Sequence, residues 1–418
     1  MDDEVVATSS ELPLPEDFLH FLNQNGLDPS IYVASHSTPR YIRLKPGCEA
    51  QLPEIEAEIK CKLNEVGWLP NFYYLPPEVR IASTKAYQEG KIYGIDAASG
   101  AAVVALIFLR EIMFLTSVQL LKLLAISVCV CVSRAPQHSL SSAKLCMILD
   151  LLGCSGSVTG VDVARHRLAA SRTMLQKYAL GDRCRLFVAD GTTFSLIPVG
   201  VESNSKSCNG EMEENLEIYK EWTARRPWKE RKRMAKAMEN IDSMMSKQIQ
   251  DPELIFYGRH SGVVGLSKHN VFRTFDDVEI SQSGYDKVLV DAECTHDGSI
   301  KHIQKFEQWG WTTLSRRVLG AERTDALTVL QLKLLTNGFR LLKAGGSLVY
   351  STCSLTVAQN EDIVEQFLSR HVSAELLEIE AAKNWPCRQA RIPKTLRFDP
   401  LTSSTSGLFV AKFTKLDI

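Results

Sequence analysis

The chain has 418 residues, of which 45% are hydrophobic and 23% charged, and its formal net charge is −1. It is long enough for a large core and two domains, and the charge excludes a chain that is basic throughout, so any nucleic-acid surface must be a local patch. Eleven cysteines without paired spacing, and no secretory signal, predict free thiols in a reducing intracellular compartment. The nucleus or cytoplasm is favoured, and an organelle is also compatible with the sequence.

The N-terminal part predicts a small α+β unit. Residues 1–13 are acidic and serine-rich, which is typical of a flexible tail. Residues 14–89 then alternate a helix at 15–25, a strand at 40–44 and a helix at 52–66. This order resembles small RNA-binding modules, although no strand carries the aromatic signature of such modules.

An apolar stretch at residues 115–132 has two interpretations. A membrane span would bury Lys122 near its centre, at a cost of roughly 2.5 to 3.5 kcal/mol. A core helix followed by a β-rich strand at 126–132 is therefore favoured, and no membrane association is expected. Cys129 and Cys131 form a C-x-C pair without the second ligand pair that zinc would need, so no metal is expected.

The larger unit, residues 90–418, begins with two strands that each end in an acid. A strand at 157–162 ends in Asp162, a helix follows at 164–178, and a strand at 185–191 contains Asp190 near its end. In a nucleotide-binding α/β fold, Asp162 would accept hydrogen bonds from a ribose diol and Asp190 would reach the adenine amine. Alternatively, both acids only cap loops.

An insertion at about 200–284 has a different composition. It begins rich in serine, asparagine and acids, then becomes strongly basic at 220–236, where Trp222 and Trp228 are interleaved with the lysines and arginines. This pattern fits an arm that binds phosphates and stacks on bases. A solvated helix fits the charge pattern equally well.

Two cysteines follow short β-branched runs in the C-terminal half. The run that ends at Asp291 leads to Cys294, and the run at 347–352 leads to Cys353. A helix containing 327–335, stopped by Lys-Ala-Gly-Gly at 343–346, separates the two strands. Strand, helix and strand form a crossover that places both thiols in one crevice of a doubly wound α/β sheet.

Four segments carry further motifs: Asp-Ala-Glu-Cys at 291–294, Tyr-Ser-Thr-Cys-Ser at 350–354 with Gln-Asn-Glu at 359–361, the segment 93–99, and the tail at 396–412. Together they resemble the Sun-type RNA (cytosine-5) methyltransferases (Sun/Fmu and nucleolar-protein-like). The resemblance runs from about residue 40 to the C-terminus, with interruptions at 107–142 and in the basic insertion. It implies a methyltransferase-type, Rossmann-like sheet that binds S-adenosyl-L-methionine and acts on tRNA or rRNA, as a monomer.

The resemblance also implies a role for each site residue. Carbon 5 of cytosine is a poor nucleophile, so a thiolate must first add at carbon 6, and Cys353 takes that role. Asp291 would hold ring nitrogen 3 and also contribute to the cofactor site, and Cys294 would assist release of the carbon 5 proton. The alternative is that both cysteines are buried structural residues.

Two substitutions depart from the family pattern. Glu293 stands where the family usually has proline, and Ile95 where it has glutamine. A carboxylate at Glu293 is expected to raise the pKa of Cys294 by like-charge repulsion.

A larger departure concerns the cofactor turn. The family has a strand and a turn of the form Asp-x-Cys-Ala-x-Pro-Gly-x-Lys before the helix that begins here at Ala143, and only Lys144 carries over from it. Residues 109–142 contain no glycine, which argues against close approach of the backbone to a cofactor. We hypothesise that 111–121 encodes the missing strand in another reading frame and that 122–142 is retained intron, which sequencing of the transcript would test.

These departures leave a second function open. The chain would then be an RNA-binding protein with impaired catalysis, whose thiols survive while its cofactor turn is lost or mis-spliced. A DNA or protein methyltransferase is a weaker third interpretation, because paired thiols are needed only when the target is cytosine.

Overall fold

The computed structural model describes residues 14–33, 38–107, 126–132, 140–153, 156–198, 251–273, 275–300, 302–303, 306, 310–314 and 318–417. The predicted tail at 1–13, the predicted helix before residue 126 and the basic run at 220–236 lie outside these ranges. Among the described residues, no helix is long and apolar enough to cross a membrane.

The helices are numbered in chain order. They are α1 (Glu16–Gln24), α2 (Ser30–Val33), α3 (Leu52–Ile59), α4 (Lys85–Gln88), α5 (Ala97–Ile107), α6 (Leu140–Leu152), α7 (Arg165–Lys177), α8 (Lys268–Val271), α9 (Asp277–Ser283), α10 (Trp311–Leu314), α11 (Ala321–Leu341), α12 (Glu361–Arg370) and α13 (Pro400–Ser403). Short 3₁₀ turns lie at Glu49–Gln51, Gly181–Arg183 and Glu380–Asn384.

The strands are numbered in the same way. They are β1 (Arg40–Leu44), β2 (Asn64–Glu65), β3 (Phe72–Leu75), β4 (Ile92–Gly94), β5 (Ile126–Val132), β6 (Gly156–Asp162), β7 (Cys184–Val188), β8 (Glu253–Tyr257), β9 (Tyr285–Asp291), β10 (Leu342–Thr352), β11 (Ala374–Leu377), β12 (Arg388–Gln389), β13 (Leu396–Phe398) and β14 (Leu408–Lys415).

The N-terminal region contains a small antiparallel sheet in the order β2-β3-β1-β4. Strand β1 has the predicted bounds, and its buried Ile42 and Leu44 share an apolar cluster with Ile55 and Ile59 of α3. The predicted helix at 52–66 was too long. It ends at Ile59 because Lys60 adopts a left-handed conformation, with φ of 58°, and β2 follows.

Helices α1 and α2 pack away from the small sheet. Phe18 and Leu22 of α1 are fully buried in an apolar cluster that includes Ile300, Ile303 and Phe306. The hydroxyl of Tyr32 donates to the backbone oxygen of Asp297 at 2.8 Å. The first two helices therefore cover the segment that follows Cys294.

A large mixed sheet forms the rest of the described chain. Its order is β12-β13-β14-β10-β9-β5-β6-β7-β8, with β11 paired to β14. Five strands adjacent in the sheet are mutually parallel, in the order β10, β9, β5, β6 and β7. At the two ends of this group, β14 pairs antiparallel with β10 and β8 pairs antiparallel with β7. This is the predicted doubly wound arrangement, extended by antiparallel strands on both sides.

Strand β5 lies between β6 and β9 at the centre of this sheet. Its sequence, Ile-Ser-Val-Cys-Val-Cys-Val, is rich in β-branched residues, and Val128, Cys129 and Val130 are buried. The predicted strand at 126–132 is therefore confirmed. The residues hypothesised to be retained intron thus include the strand that fills the central place.

The crossover between the two cysteine strands is also confirmed. Strands β9 and β10 are adjacent and parallel, and the 21-residue helix α11 connects them. The predicted stop at 343–346 is confirmed, because the helix ends at Leu341, directly before this segment, and these residues then belong to β10. A register irregularity between Leu342 and Ser347 accommodates them, with Gly345 at a φ of 72°.

The second half of the predicted insertion joins the large sheet. Strand β8 pairs with β7, and Ile280 of α9 is buried. Residues 251–273 and 275–284 are thus part of the folded body.

A buried ion pair connects the small sheet with the large one. Arg43 of β1 forms a hydrogen-bonded ion pair with Asp150 of α6, and their side chains are 1% and 3% exposed. The hydroxyl of Tyr93 also donates to Asp150, at 2.9 Å. Since a charge buried without a partner is costly, these contacts fix how the two sheets meet.

Candidate active site

The carboxyl ends of β9 and β10 bring the two predicted cysteines together. Asp291 of β9 is in register with Ser351 of the parallel strand β10, so the two strands end side by side at the same edge of the sheet. Cys294 Sγ lies 3.2 Å from Cys353 Sγ, and both are free thiols. Cys294 is buried, whereas Cys353 is partly exposed. The prediction that the crossover brings both thiols together is therefore confirmed.

His296 lies between the two thiols, and sequence analysis missed it. Its Nδ1 atom is 2.9 Å from Cys353 Sγ and 3.7 Å from Cys294 Sγ. The residue has a φ of 59°, in the left-handed region that few residues other than glycine adopt and in which histidine is among the more frequent exceptions. Its ring meets that of His302 edge-on, with centroids 5.3 Å apart. The only sequence signal was a histidine two residues after a candidate catalytic cysteine.

Burial and charge give these groups unusual acidities. Burial, reinforced by the neighbouring Cys353, raises the pKa of Cys294 well above its ordinary value. Burial lowers the pKa of His296, but the contact with Cys294 and the charges of Glu293 and Asp297 outweigh it, so that the pKa is raised. The site therefore favours a positive charge beside the thiols.

Glu293 acts differently from the expectation. The pKa of Cys294 is raised as predicted, but the main cause is burial rather than repulsion from Glu293. The Glu293 carboxylate accepts a hydrogen bond from Arg323 at 3.2 Å, and burial raises its own pKa. Its backbone oxygen accepts from Gln331 Nε2 at 2.6 Å, so α11 holds this residue at two points.

Gln359 fastens the two cysteine loops to each other. Its Oε1 accepts from the Thr295 backbone N–H at 3.1 Å, and its Nε2 donates to the hydroxyls of Thr295 at 2.9 Å and Thr356 at 3.0 Å. Gln331 Nε2 also reaches Gln359 Oε1, at 3.3 Å. Gln359 is completely buried, so these contacts are shielded from water and hold the loops rigidly.

Asp297 provides a second connection between the loops. Its carboxylate accepts from the Ser354 hydroxyl at 2.8 Å and from the Leu355 backbone N–H at 2.6 Å. It also accepts from the Thr295 hydroxyl. The first cysteine loop is thus tied to the second on both sides of the thiols.

The Asn-Glu part of the 359–361 motif supports the same loop from behind. Asn360 Nδ2 donates to the backbone oxygens of Ser354 and Thr356, each at 2.8 Å. Glu361 accepts twice from Arg397 at 2.6 Å, and Arg397 also donates to the backbone oxygen of Leu355. These side chains position the cysteine without touching it.

Asp291 and Lys144 form a nearly buried ion pair next to the thiols. Lys144 Nζ lies 2.6 Å from Asp291 Oδ1, and the Lys144 side chain is 4% exposed. The Ser351 hydroxyl also donates to Asp291 Oδ1, at 3.2 Å. The structure thereby joins two predicted site residues that are far apart in the sequence.

The other predicted cofactor residues, Asp162 and Asp190, lie on the same sheet edge. Val132 at the end of β5 is in register with Asp162 on one side and Asp291 on the other. Asp162 accepts from the Ala164 backbone N–H at 2.7 Å and pairs with Arg167, whose Nε donates at 2.7 Å. Asp190 accepts from Thr192. Both acids therefore do cap local turns, and their cofactor role stays a prediction.

The acceptor set fits the adenosine part of S-adenosylmethionine. Asp162, Asp190 and Asp291 place carboxylates at the carboxyl ends of β6, β7 and β9, where a doubly wound fold binds such a ligand. The connection from β5 to α6, residues 133–139, lies outside the described ranges, and its sequence has no glycine.

The C-terminal region matches a known protein family. Residues 265–414 match the family model for the 16S rRNA methyltransferase RsmB/F. The match covers 150 of the chain's 418 residues. Both cysteines, Asp291 and the 359–361 motif lie within it, whereas Lys144, Asp162 and Asp190 precede it.

Curated relatives are similar over limited lengths. A mitochondrial tRNA (cytosine(34)-C(5))-methyltransferase of Danio rerio is 39% identical over 98 residues, 23% of this chain and 24% of that protein. A tRNA (cytosine(49)-C(5))-methyltransferase of Pyrococcus abyssi is 31% identical over 143 residues, 32% and 43% of the two chains. The aligned regions thus cover less than half of either relative. The predicted resemblance to RNA cytosine-5 methyltransferases is confirmed.

Solved structures share the fold over nearly the whole chain. A methyltransferase homolog protein from Pyrococcus horikoshii superposes with a TM-score of 0.54 at 19% sequence identity. The superposition covers 96% of this chain and 100% of that protein. NSun6 from the same organism, solved with SFG, has a TM-score of 0.53 at 13% identity, covering 97% of this chain and 99% of its own. The predicted methyltransferase-type fold is confirmed.

Proposed function

We propose that this chain is an S-adenosylmethionine-dependent RNA (cytosine-5) methyltransferase that acts on tRNA or rRNA. The observation that carries the proposal is the pair of thiols 3.2 Å apart at the ends of adjacent parallel strands, beside Asp291 and inside the region that matches the RsmB/F family model. Buried structural cysteines would not require two separate loops to be fastened around them by Gln359 and Asp297.

The first chemical step belongs to Cys353. Its sulfur adds to carbon 6 of the target cytosine, the 5,6 double bond opens, and carbon 5 becomes nucleophilic. The thiol proton can pass to His296 Nδ1, which lies 2.9 Å from the sulfur. Asp291, held by Lys144 and Ser351, would position ring nitrogen 3 and stabilise the charge of the adduct.

S-adenosylmethionine, when bound, supplies the methyl group to carbon 5. Asp162 and Asp190 would accept hydrogen bonds from its ribose and adenine, and Lys144 and Asp291 would line the side of the site nearest the thiols. The carbon 5 proton must then leave before the bond between sulfur and carbon 6 can break. Cys294, with His296 Nδ1 at 3.7 Å, is placed to assist that proton transfer.

The thiol assignment can be tested directly. Cys353→Ala should abolish methyl transfer and leave RNA affinity within about threefold, because it removes the covalent step and no basic surface. Cys387→Ala is the matched control, since that cysteine is also partly exposed but lies directly before β12, outside the cysteine cluster. A Cys353→Ala protein with more than a small fraction of normal turnover would contradict the assignment. Bisulfite sequencing of cellular RNA with and without the gene would identify the modified cytosine.

A second function is supported by the glycine-free connection at 133–139. In that case the chain binds RNA through its basic segment but has impaired catalysis. Calorimetry with S-adenosylmethionine separates the two proposals: no heat of binding, with RNA binding retained, favours the second.

Partner and compartment are parts of the same proposal. We infer that RNA is the macromolecular partner and that the chain acts as a monomer in a reducing intracellular compartment. The cysteine usage supports such a compartment, because the eleven cysteines show no paired spacing typical of a disulfide framework.

A further inference from the structure

The two thiols and His296 form a cluster of metal-binding donor atoms. Cys294 Sγ, His296 Nδ1 and Cys353 Sγ all lie within 4.8 Å of one another. Two sulfurs and one imidazole nitrogen are the donors that zinc prefers in proteins. This set differs from the C-x-C pair at Cys129 and Cys131, on which the expectation of no metal was based.

The separations are close to those of a zinc site. With Zn–S bonds of about 2.3 Å and Zn–N bonds of about 2.0 Å, tetrahedral geometry puts two sulfurs about 3.8 Å apart and sulfur and nitrogen about 3.5 Å apart. The corresponding separations here are 3.2 Å between the sulfurs and 2.9 and 3.7 Å from sulfur to nitrogen. Opening the cluster by about half an ångström would therefore admit the ion.

The surroundings also favour a cation. Two acidic residues adjoin the ligands in the sequence: Glu293 directly precedes Cys294, and Asp297 directly follows His296. Gln359 and Asp297 already hold the two donor loops next to each other, so little ordering is required on binding. His296 Nδ1 already lies within 3.7 Å of both sulfurs, so the ring needs no large movement to join the ligand set.

We propose that Cys294, His296 and Cys353 bind one Zn²⁺ ion, which reversibly masks the nucleophile. Zn²⁺ displaces one proton from each thiol, both protons pass to solvent, and three protein ligands leave a fourth position for water. The lone pair of Cys353 that would attack cytosine is then committed to the metal. Masking of catalysis rests on the proposed function, whereas metal binding itself does not.

Binding can be measured on the full-length protein without RNA or S-adenosylmethionine. The protein is reduced, freed of metal by chelation, and titrated with Co²⁺, whose charge-transfer absorption reports thiolate ligands; Zn²⁺ then displaces it. We expect one Co²⁺ per chain. His296→Ala should weaken binding by at least about 100-fold, beyond the 10–100-fold typical of a lost supporting contact.

Variants locate the site. Cys294→Ser and Cys353→Ser should each abolish the absorption, whereas Cys387→Ser, outside the cluster, should retain it. The proposal would be overturned by an absorption that survives in Cys294→Ser, by a His296→Ala protein that binds Co²⁺ as tightly as the wild type, or by no thiolate absorption in the wild type.

A second measurement needs no variant. Zn²⁺ should slow alkylation of Cys353 by iodoacetamide at least about tenfold in the wild-type protein, with mass spectrometry identifying the modified peptide. Cys387 should react at an unchanged rate and serves as the internal control. Equal protection of both cysteines, or of neither, would contradict the site.

The same titration separates this proposal from the proposed function. If metal-free protein methylates RNA and Zn²⁺ stops it, both are supported. If Zn²⁺ binds and protects Cys353 but metal-free protein has no methyltransferase activity, the metal site stands and the proposed function fails. Activity that is unaffected by bound Zn²⁺ would refute the masking.

Discussion

Gln359 offers a direct test of how the two cysteine loops are held. We consider Gln359→Leu, which keeps a similar side-chain volume and removes every polar contact of the amide. The Thr295 backbone N–H loses the acceptor it has in the structure, whereas the hydroxyls of Thr295 and Thr356 still have Asp297 and Ser354 as partners. The substitution should therefore leave one buried donor without an acceptor.

The magnitude follows from these contacts. One unsatisfied buried N–H costs about 1–3 kcal/mol, and the other lost hydrogen bonds add about 1 kcal/mol. We expect Gln359→Leu to lower the free energy of unfolding by about 2–4 kcal/mol. Because the thiol loops lose their common anchor, formation of the adduct between Cys353 and RNA should also slow by at least about tenfold.

The assay is urea unfolding followed by fluorescence of the six tryptophans. Gln366→Leu on α12 is the control, because that glutamine is exposed and its replacement should change stability by less than about 0.5 kcal/mol. A loss below about 1 kcal/mol for Gln359→Leu, with an unchanged denaturant dependence, would refute the reasoning.

Three further predictions concern other parts of the molecule. Arg43→Met should lower the free energy of unfolding by about 3–5 kcal/mol, because it leaves the buried Asp150 carboxylate with Tyr93 alone of its two hydrogen-bond partners. In the urea assay, the double variant Arg43→Met/Asp150→Leu should recover most of this loss. A double variant as unstable as Arg43→Met would contradict the ion-pair argument. Cys294→Ala, in a chain that binds S-adenosylmethionine, should accumulate a covalent adduct with RNA that a denaturing gel detects. The adduct should be absent from the double variant Cys294→Ala/Cys353→Ala. Normal turnover without an adduct would mean that Cys294 is structural. Replacing six basic residues by alanine should flatten the salt dependence of RNA affinity, and an unchanged slope would indicate a solvated helix; these are Arg225, Arg226, Lys229, Arg231, Lys232 and Arg233.

The elements that could be predicted are those whose pattern is local. Strands β1 and β5 have the predicted bounds because β-branched and apolar residues alone select an extended, buried chain. The crossover from β9 to β10 could also be predicted, since parallel neighbours need a helical connection. Both thiols were found for that reason.

The features that were missed depend on contacts between distant residues. The helix at 52–66 was predicted too long because its sequence remains compatible with a helix beyond Lys60, where a left-handed residue ends it. Strand β8 joins the sheet edge by pairing with β7 across the whole insertion. His296 acquires its place beside the nucleophile only when Cys353, 57 residues later, folds against it.

The central position of β5 has a consequence for the order of folding during synthesis. The strand can pair with β6 soon after both leave the ribosome, but its other edge waits for β9, whose contact with Ser127 spans 159 residues. Until then, an apolar edge of alternating valine and cysteine is exposed, which is the kind of edge that pairs with other chains. The nascent protein is therefore most vulnerable to aggregation, and to oxidation at Cys129, while the long insertion is being translated.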